Sequence, residues 1–369
     1  MMCYYLGMTL VLDITADKRR LHGRGASSNA SSRYDREKRV LFDDGWGEDE
    51  DLPAFKTTII RDTTRTIIAR NTSPDISFDR SINPYRGCEH GCIYCFARPT
   101  HAYLGFSPGA DFETQILVKP GAAELLAKEL SAPGYEPRTM ALGTNTDPYQ
   151  PTEKTLRITR SILEVLRDFN HPVGIVTKSA LITRDIDILA PMAEKGLAKV
   201  ALSITTLDRK LARAMEPRAS TPPRRLAAVK ALREAGIPTG VMFAPVIPAL
   251  NDDELERVLE AARDHGALSA GYVLLRLPLE IKDLFREWLD EQMPGRAKHV
   301  MSLIRQMRGG KDYDSEWGKR MTGAGPYADL IARRFQIALK RFGLNQVKSP
   351  LTTTKFKRPP YLGEQLSLI

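Results

Sequence analysis

The sequence predicts an α/β protein in which short parallel strands alternate with helices in a barrel-like array. Three observations carry this. From about residue 112 the chain repeats one unit, a short β-branched apolar run followed by a helical pattern. The runs are continuously apolar rather than alternating, as strands covered on both faces by helices must be. No G-x-G-x-x-G follows the first run, which weighs against an open dinucleotide-binding sheet.

The elements follow in order. An early strand is expected near Ile82–Arg86. The repeated runs are Gln115–Lys119, Thr139–Thr144, Val173–Lys178, Lys199–Thr205, Thr239–Ile247 and Ala270–Leu277. Helical patterns fill Gly121–Leu130, Glu153–Asp168, Asp185–Lys195, Pro223–Ala235 and Asp252–His265. Residues 280–308 read as two amphipathic helices carrying Trp288, Leu289 and Leu303, followed by a glycine-containing loop and one more helix. The core is therefore set at 55–278 and a helical C-terminal extension at 279–345.

The ends differ in composition. Residues 16–39 hold eight basic and three acidic side chains, and residues 43–51 hold six acidic and no basic ones. Blocks of opposite charge, poor in apolar residues, predict a disordered charged arm over 1–54. Residues 340–369 carry six basic residues against one acidic, with Phe356 and Tyr361 interleaved, so 346–369 is expected to be a basic flexible tail. The apolar stretch 2–13 lacks a basic segment before it and is too short to span a bilayer. A cytoplasmic protein with no membrane association is expected.

At 369 residues the chain is long enough for two domains, or for one large α/β domain with extensions. Four cysteines in that length exclude a disulfide-stapled secreted scaffold. The net charge of +9 favours a polyanionic partner, nucleic acid first.

In barrel arrays chemistry sits on the loops at the C-terminal ends of the strands. Here those segments read GCEHGCIYCFAR, GTNTDPYQP, TKS, SITT and PVIPALND. In the first, Cys88, Cys92 and Cys95 offer three thiolates from one loop, which Gly87 and Gly91 allow to curl tightly. Thiolates are soft ligands suited to zinc or to iron–sulfur clusters. A structural zinc wants four ligands, usually in two separated pairs, and no second pair exists. His90 completes a zinc site only by folding back between two ligands. A cubane iron–sulfur cluster on three cysteines leaves one iron open. The zinc alternative, a nucleic-acid-binding module without catalysis, stays open on the residues alone.

CEHGCIYC, with an aromatic (Tyr94) before the last cysteine, resembles the cluster loop of the radical S-adenosylmethionine (radical SAM) superfamily. The wider wording SINPYRGCEHGCIYCFAR, GTNTDPYQPTEK, TKS, SITT and MEPRASTPPRRL resembles an uncharacterised bacterial subgroup related to spore photoproduct lyase. The resemblance implies a partial TIM-type (β/α)6 barrel with Cys88, Cys92 and Cys95 on a 4Fe–4S cluster. S-adenosyl-L-methionine would chelate the open iron, and one electron would cleave it to methionine and a 5′-deoxyadenosyl radical that abstracts hydrogen from substrate. The cofactor carries the hard chemistry, and the protein binds and orients. An electron donor of flavodoxin or ferredoxin type is implied as partner.

Residue by residue, the resemblance assigns Thr144, Asn145, Thr146 and Asp147 to the cofactor's amino group. Asp147 is equally placed to cap the following helix. Lys178 matches a carboxylate-binding lysine, and Ser203 a ribose contact that competes with a backbone-satisfied serine. Glu216 faces the ribose or pairs with Arg218. Val246 and Ile247 would wall the adenine beside Tyr94. The implied substrate is nucleic acid, in DNA repair or modification, with a protein or metabolite as the alternative.

One departure stands out: no cysteine follows Cys95, and Cys3 lies in the N-terminal arm, so lyase chemistry that returns hydrogen through a further cysteine is in doubt. Tyr149 is weighed as a relay against a packing role, and no catalytic residue is assigned. DSEWGKRMTGAG is expected to close the barrel's open side over substrate. The last five residues, Gln365–Ile369, look like the peptide by which DNA polymerases and repair proteins dock on the sliding clamp.

Overall fold

Among the described residues, hydrogen bonding sorts ten strands into two sheets. The computed structural model describes residues 23–34, 56–347 and 349–359. A small sheet holds β1 (Thr58–Arg61), β4 (Tyr85–Arg86) and β5 (Gln115–Val118) in the order β1-β5-β4. The large sheet is built from β2 (Ile68–Arg70), β3 (Arg80–Ile82), β6 (Met140–Leu142), β7 (Val173–Thr177), β8 (Ala198–Ser203), β9 (Thr239–Val246) and β10 (Ser269–Leu274). Its order is β10-β9-β8-β7-β6-β3-β2.

From β3 to β10 every pairing is parallel, and only the edge strand β2 runs antiparallel. Spatial order follows chain order with no reversal. A doubly wound sheet needs a reversal, whereas a monotonic order of six βα units is that of a barrel. The array is left open between β10 and the β3 side. This is the partial (β/α)6 barrel expected.

One run lies elsewhere. Gln115–Val118 is a strand, but it pairs with β1 and β4 outside the barrel. Its residues alternate half-buried and buried, while Met140–Leu142 is buried throughout. The helix read over Glu153–Asp168 breaks at Arg157, which takes a φ of 54°. The buried Glu153 carboxylate explains the break, accepting the N–H groups of Thr159 at 2.9 Å and Arg160 at 3.4 Å. It thereby caps Ile158–Asp168 from inside.

The C-terminal extension wraps the barrel. Helices Ile281–Gln292 and Ala297–Gln306 share one apolar cluster with Ile93, Tyr94, Met215 and Ile247, behind the cysteine loop. The helix Pro326–Phe342 returns onto Leu255–Asp264 through an Arg334–Glu256 ion pair at 2.6 Å. Between them, Met321 O accepts the Leu274 N–H at 2.9 Å at the free edge of β10. Asp75, from the β2–β3 connection, accepts the Gly318 N–H at 2.7 Å and binds Arg320. The loop carrying GKRMTG thus spans the barrel's open side.

Within the stretch read as a charged arm, residues 23–34 pack against the cysteine loop. Ala26, Ser28 and Ser32 are buried there. Residues 349–359, in the stretch read as tail, also lie on the core. Phe356 packs among Tyr135, Phe169 and His171, and the Arg358 guanidinium donates to Ala132 O at 2.9 Å. Cys3 and Gln365–Ile369 lie outside the described residues. Among those described, no helix is long and apolar enough to cross a membrane.

Candidate active site

The loop after β4 carries the three cysteines, and its backbone is fixed from four sides. Phe112 O accepts the Cys88 N–H at 2.9 Å, and Met215 O accepts the Ile93 N–H at 3.0 Å. Gln150 accepts the Glu89 N–H at 2.8 Å and donates to Gly87 O at 3.2 Å. The fourth anchor is Arg98, fully buried, which donates to Cys92 O at 2.9 Å, Gly109 O at 2.9 Å and Pro108 O at 3.1 Å. Its charge is met by the buried Glu113 at 2.5 Å.

Glu113 also accepts the N–H groups of Gly25 and Ala26, each at 2.9 Å, and so fastens the 23–34 segment to the loop. Two glycines permit this contact. A Cβ on Gly25 would sit 1.7 Å from Gly91 O, and Gly91 itself has a φ of +68°. Sequence reading passed over Arg98, Glu113 and this strap, although Arg98 stands inside the quoted motif.

Above the loop, the C-terminal ends of the barrel strands enclose a cavity of about 550 Å³. Cys88, Cys92, Tyr94, Cys95, Thr144, Asn145, Thr146, Asp147, Lys178 and Ser203 all line it. Asp147 is largely committed within the protein. It accepts from Tyr149 N at 2.9 Å, Thr177 Oγ1 at 2.7 Å and Lys178 N at 2.8 Å, so it ties one strand end to the next. His90 Nδ1 lies 3.4 Å from it without a well-formed hydrogen bond. Burial alone would raise this carboxyl, but His90, the Lys178 N–H and the Thr177 hydroxyl hold it at about 2. Thr146 donates to Tyr85 O at 2.8 Å. Lys178 Nζ donates to Ser203 Oγ at 2.9 Å and sits 5.6 Å from the centroid of the Tyr94 ring.

Three assigned residues do not line the cavity. Glu216 is buried behind Tyr94, paired with Arg225, and accepts from the Tyr94 hydroxyl and from Thr205 Oγ1 at 2.6 Å. Burial opposes its charge, but Arg225 and Lys178 hold the carboxyl at about 2. Arg218 approaches Glu89 instead, at 3.4 Å. Val246 and Ile247 turn into the core, because Asn251 accepts the Ile247 N–H at 2.7 Å and donates to Pro245 O at 3.0 Å and Thr205 O at 2.7 Å. The apolar wall that β9 offers the cavity is Met242, Ala244 and Pro245. Tyr149 is fully buried, bonded to Asp185 at 3.1 Å, and stands outside the cavity lining. Sequence reading also missed Phe96 and Arg276, which line the cavity together with Arg320 and Met321 of the DSEWGKRMTGAG segment.

Comparison with known proteins decides the family. The description that matches is the radical SAM superfamily, over residues 82–262. An uncharacterised protein of Mycobacterium tuberculosis is 39% identical over 233 residues, covering 63% of this chain and 68% of that one. The chain belongs to the radical SAM superfamily. A protein of Acidianus two-tailed virus, also uncharacterised, is 26% identical over 258 residues, covering 67% of this chain and 79% of its own.

Among solved structures, a spore photoproduct lyase mutant matches with a TM-score of 0.54 at 18% identity, over 80% of this chain and 82% of that one. Another variant of that lyase, with bound AdoMet and dinucleoside spore photoproduct, matches with a TM-score of 0.54 at 16% identity, over 77% and 78%. At these identities the likeness is one of fold.

Radical SAM enzymes use a 4Fe–4S cluster and S-adenosylmethionine, and the donor set here fits them. All three thiols are free and face one cavity. Among the described residues no three His, Cys, Asp or Glu side chains converge on one ion position. Three soft thiolates facing one cavity suit a multi-iron cluster, whereas a structural zinc takes four protein ligands. Burial raises all three thiols above their usual range, so they hold protons until a metal displaces them.

Proposed function

We propose that this radical SAM enzyme acts on nucleic acid, in repair or modification, with Cys88, Cys92 and Cys95 as the cluster ligands. The observation that carries the site is that the three thiols share one cavity with Lys178, Ser203 and the Thr144–Asp147 segment, at the C-terminal ends of parallel strands. When bound, the cofactors supply a 5′-deoxyadenosyl radical by one-electron cleavage of the sulfonium.

This chain's own residues do the rest. Lys178 offers an ammonium to the cofactor's carboxylate, held in place by the Ser203 hydroxyl. Thr144 and Asn145 present hydroxyl and amide groups to its amino group, while Asp147 fixes the strand ends and adds negative charge nearby. Tyr94, locked from behind by Glu216 and Thr205, gives a flat apolar surface beside the cysteines. Burial, Cys92 and Glu216 hold its phenol well above the usual range, so it remains a neutral hydrogen-bond donor.

Nucleic acid as substrate is supported by the net charge of +9 and by likeness of fold to a lyase solved with dinucleoside spore photoproduct. Beyond the three cysteines, no thiol lines the cavity among the described residues. Reversal of a thymine lesion through a fourth cysteine is therefore not proposed. The reductant is expected to be of flavodoxin or ferredoxin type. Clamp docking rests on the five residues Gln365–Ile369 alone; equal retention on clamp by a chain lacking them would remove it.

The test of substrate class is deuterium transfer. Deuterated, ultraviolet-damaged DNA and deuterated RNA are each offered to the reduced enzyme. Label in 5′-deoxyadenosine from either supports the reading, and its absence from both sends the substrate to protein or metabolite.

A further inference from the structure

Among the described residues two arginines carry a buried Nε without a hydrogen-bond partner: Arg80, which is otherwise held by Glu136 O and lies outside the cavity lining, and the half-buried Arg276. Arg98 and Arg225 each meet a carboxylate and backbone carbonyls, and Arg308 donates to Lys319 O at 2.7 Å and Leu275 O at 2.8 Å. Arg276, just past the end of β10, also lines the cavity. Its Nε is buried with no hydrogen-bond partner. Its terminal nitrogens reach only the Met321 sulfur at 3.7 Å and the Tyr313 hydroxyl at 3.5 Å, both at the limit of a hydrogen bond.

Asp75, whose charge Arg276 feels, is already held by Arg320 and by the Gly318 N–H. The guanidinium is nevertheless fixed in place. Its carbon lies 4.8 Å from the centroid of Phe96, the residue after the last cysteine, and that ring is 41% exposed. A buried donor left unpaired costs free energy, and a planar guanidinium on an aromatic face keeps its N–H edges for an oxyanion. Neutral fillers do not account for the charge.

We propose that Arg276, positioned by Phe96, receives a phosphodiester of the nucleic-acid strand and so sets which nucleotide reaches the cysteine end of the cavity. This rests on the reading of the substrate as nucleic acid. The same fork would suit the cofactor's carboxylate, and the experiment separates the two sources.

Full-length, anaerobically reconstituted protein is titrated with fluorescein-labelled single-stranded DNA across a salt series, as wild type, R276Q and R276K. S-adenosylmethionine affinity and melting temperature are measured on each. R276Q is expected to weaken DNA binding about tenfold and to lower the salt slope by about 0.7, the share of one single-strand phosphate. Its cofactor affinity stays at the wild-type value and its melting temperature within about 2 °C, since the contacts it removes are one ring contact and two at the limit of a hydrogen bond. R276K keeps the charge and the slope but loses the fork, giving intermediate affinity. A methylphosphonate strand, with a neutral backbone, binds wild type and R276Q alike.

Wild-type DNA affinity and slope in R276Q would overturn the proposal while leaving the nucleic-acid reading intact. Loss of S-adenosylmethionine affinity with DNA binding preserved would assign the arginine to the cofactor instead. Failure of the wild type to bind any strand would remove both. If R276Q fails to load its cluster, R276K decides, and affinity equal to wild type overturns the proposal.

Discussion

Glu113→Gln tests whether the 23–34 segment and the cysteine loop form one unit. The side chain has no exposed surface and carries Arg98 at 2.5 Å with the Gly25 and Ala26 N–H groups at 2.9 Å. An amide of the same volume removes the charge and turns one acceptor into a donor facing donors. It leaves Arg98 buried with only carbonyl partners. Removing one member of a buried pair costs about 3–5 kcal/mol. At about 2.1 cal/mol/K of unfolding entropy per residue, a chain of 369 residues shifts by roughly 1.3 °C per kcal/mol, which predicts a fall in melting temperature of roughly 4 °C or more.

The assay pairs melting with trypsin digestion after Arg24 and Arg33, two positions held in the fold by Thr57 and Glu280 that the variant should release. Glu124→Gln, on an exposed helical position, is the control and should stay within about 0.5 kcal/mol. A Glu113→Gln protein that melts with wild type and keeps both sites protected would refute the reasoning.

Three further expectations concern single residues. Lys178→Met should raise the Kd for S-adenosylmethionine at least tenfold, the scale of one charge-assisted hydrogen bond, with iron content unchanged; an unchanged Kd by calorimetry removes the carboxylate assignment. Glu216→Gln should destabilise by about 3–5 kcal/mol through the stranded Arg225, and a variant that alters cofactor affinity with normal melting would return Glu216 to the ribose. His171 is buried, bonded to Tyr135 at 2.8 Å, and burial lowers it to about 4. Because the unfolded imidazole binds its proton near pH 6.5, stability is full above that value and falls as pH drops towards 4. Denaturant titrations from pH 7 to 4 should show that slope, and His171→Gln should flatten it.

What could be read in advance depended on which residues are bound to a local pattern. The barrel strands after residue 139 announce themselves because continuous burial demands continuous apolar runs. The three cysteines and the residues that end β7 and β8 follow from chain order alone, since barrel loops gather at one end. Gln115–Val118 has the same strand composition, and only its long-range pairing with Thr58–Arg61 removes it from the barrel.

Glu216 and Ile247 were misplaced for a related reason. Their directions are set by Arg225 and Asn251, partners that become neighbours only in the fold. The 23–34 strap was hidden because it buries few side chains. Its attachment runs through backbone N–H groups and a glycine, which composition does not register. Arg276 shows the same limit, as its meaning lies in the partner it lacks.

The central claim is that three thiols hold a multi-iron cluster in the cavity where S-adenosylmethionine binds. Anaerobic reconstitution of the full chain, with iron, sulfide and zinc analysis and detection of 5′-deoxyadenosine, addresses it most directly. The account predicts a brown protein with 4Fe–4S stoichiometry and 5′-deoxyadenosine only with reductant and cofactor present, both lost when Cys88, Cys92 or Cys95 is changed to Ala. A colourless protein carrying one zinc per chain, with no 5′-deoxyadenosine formed, would contradict it.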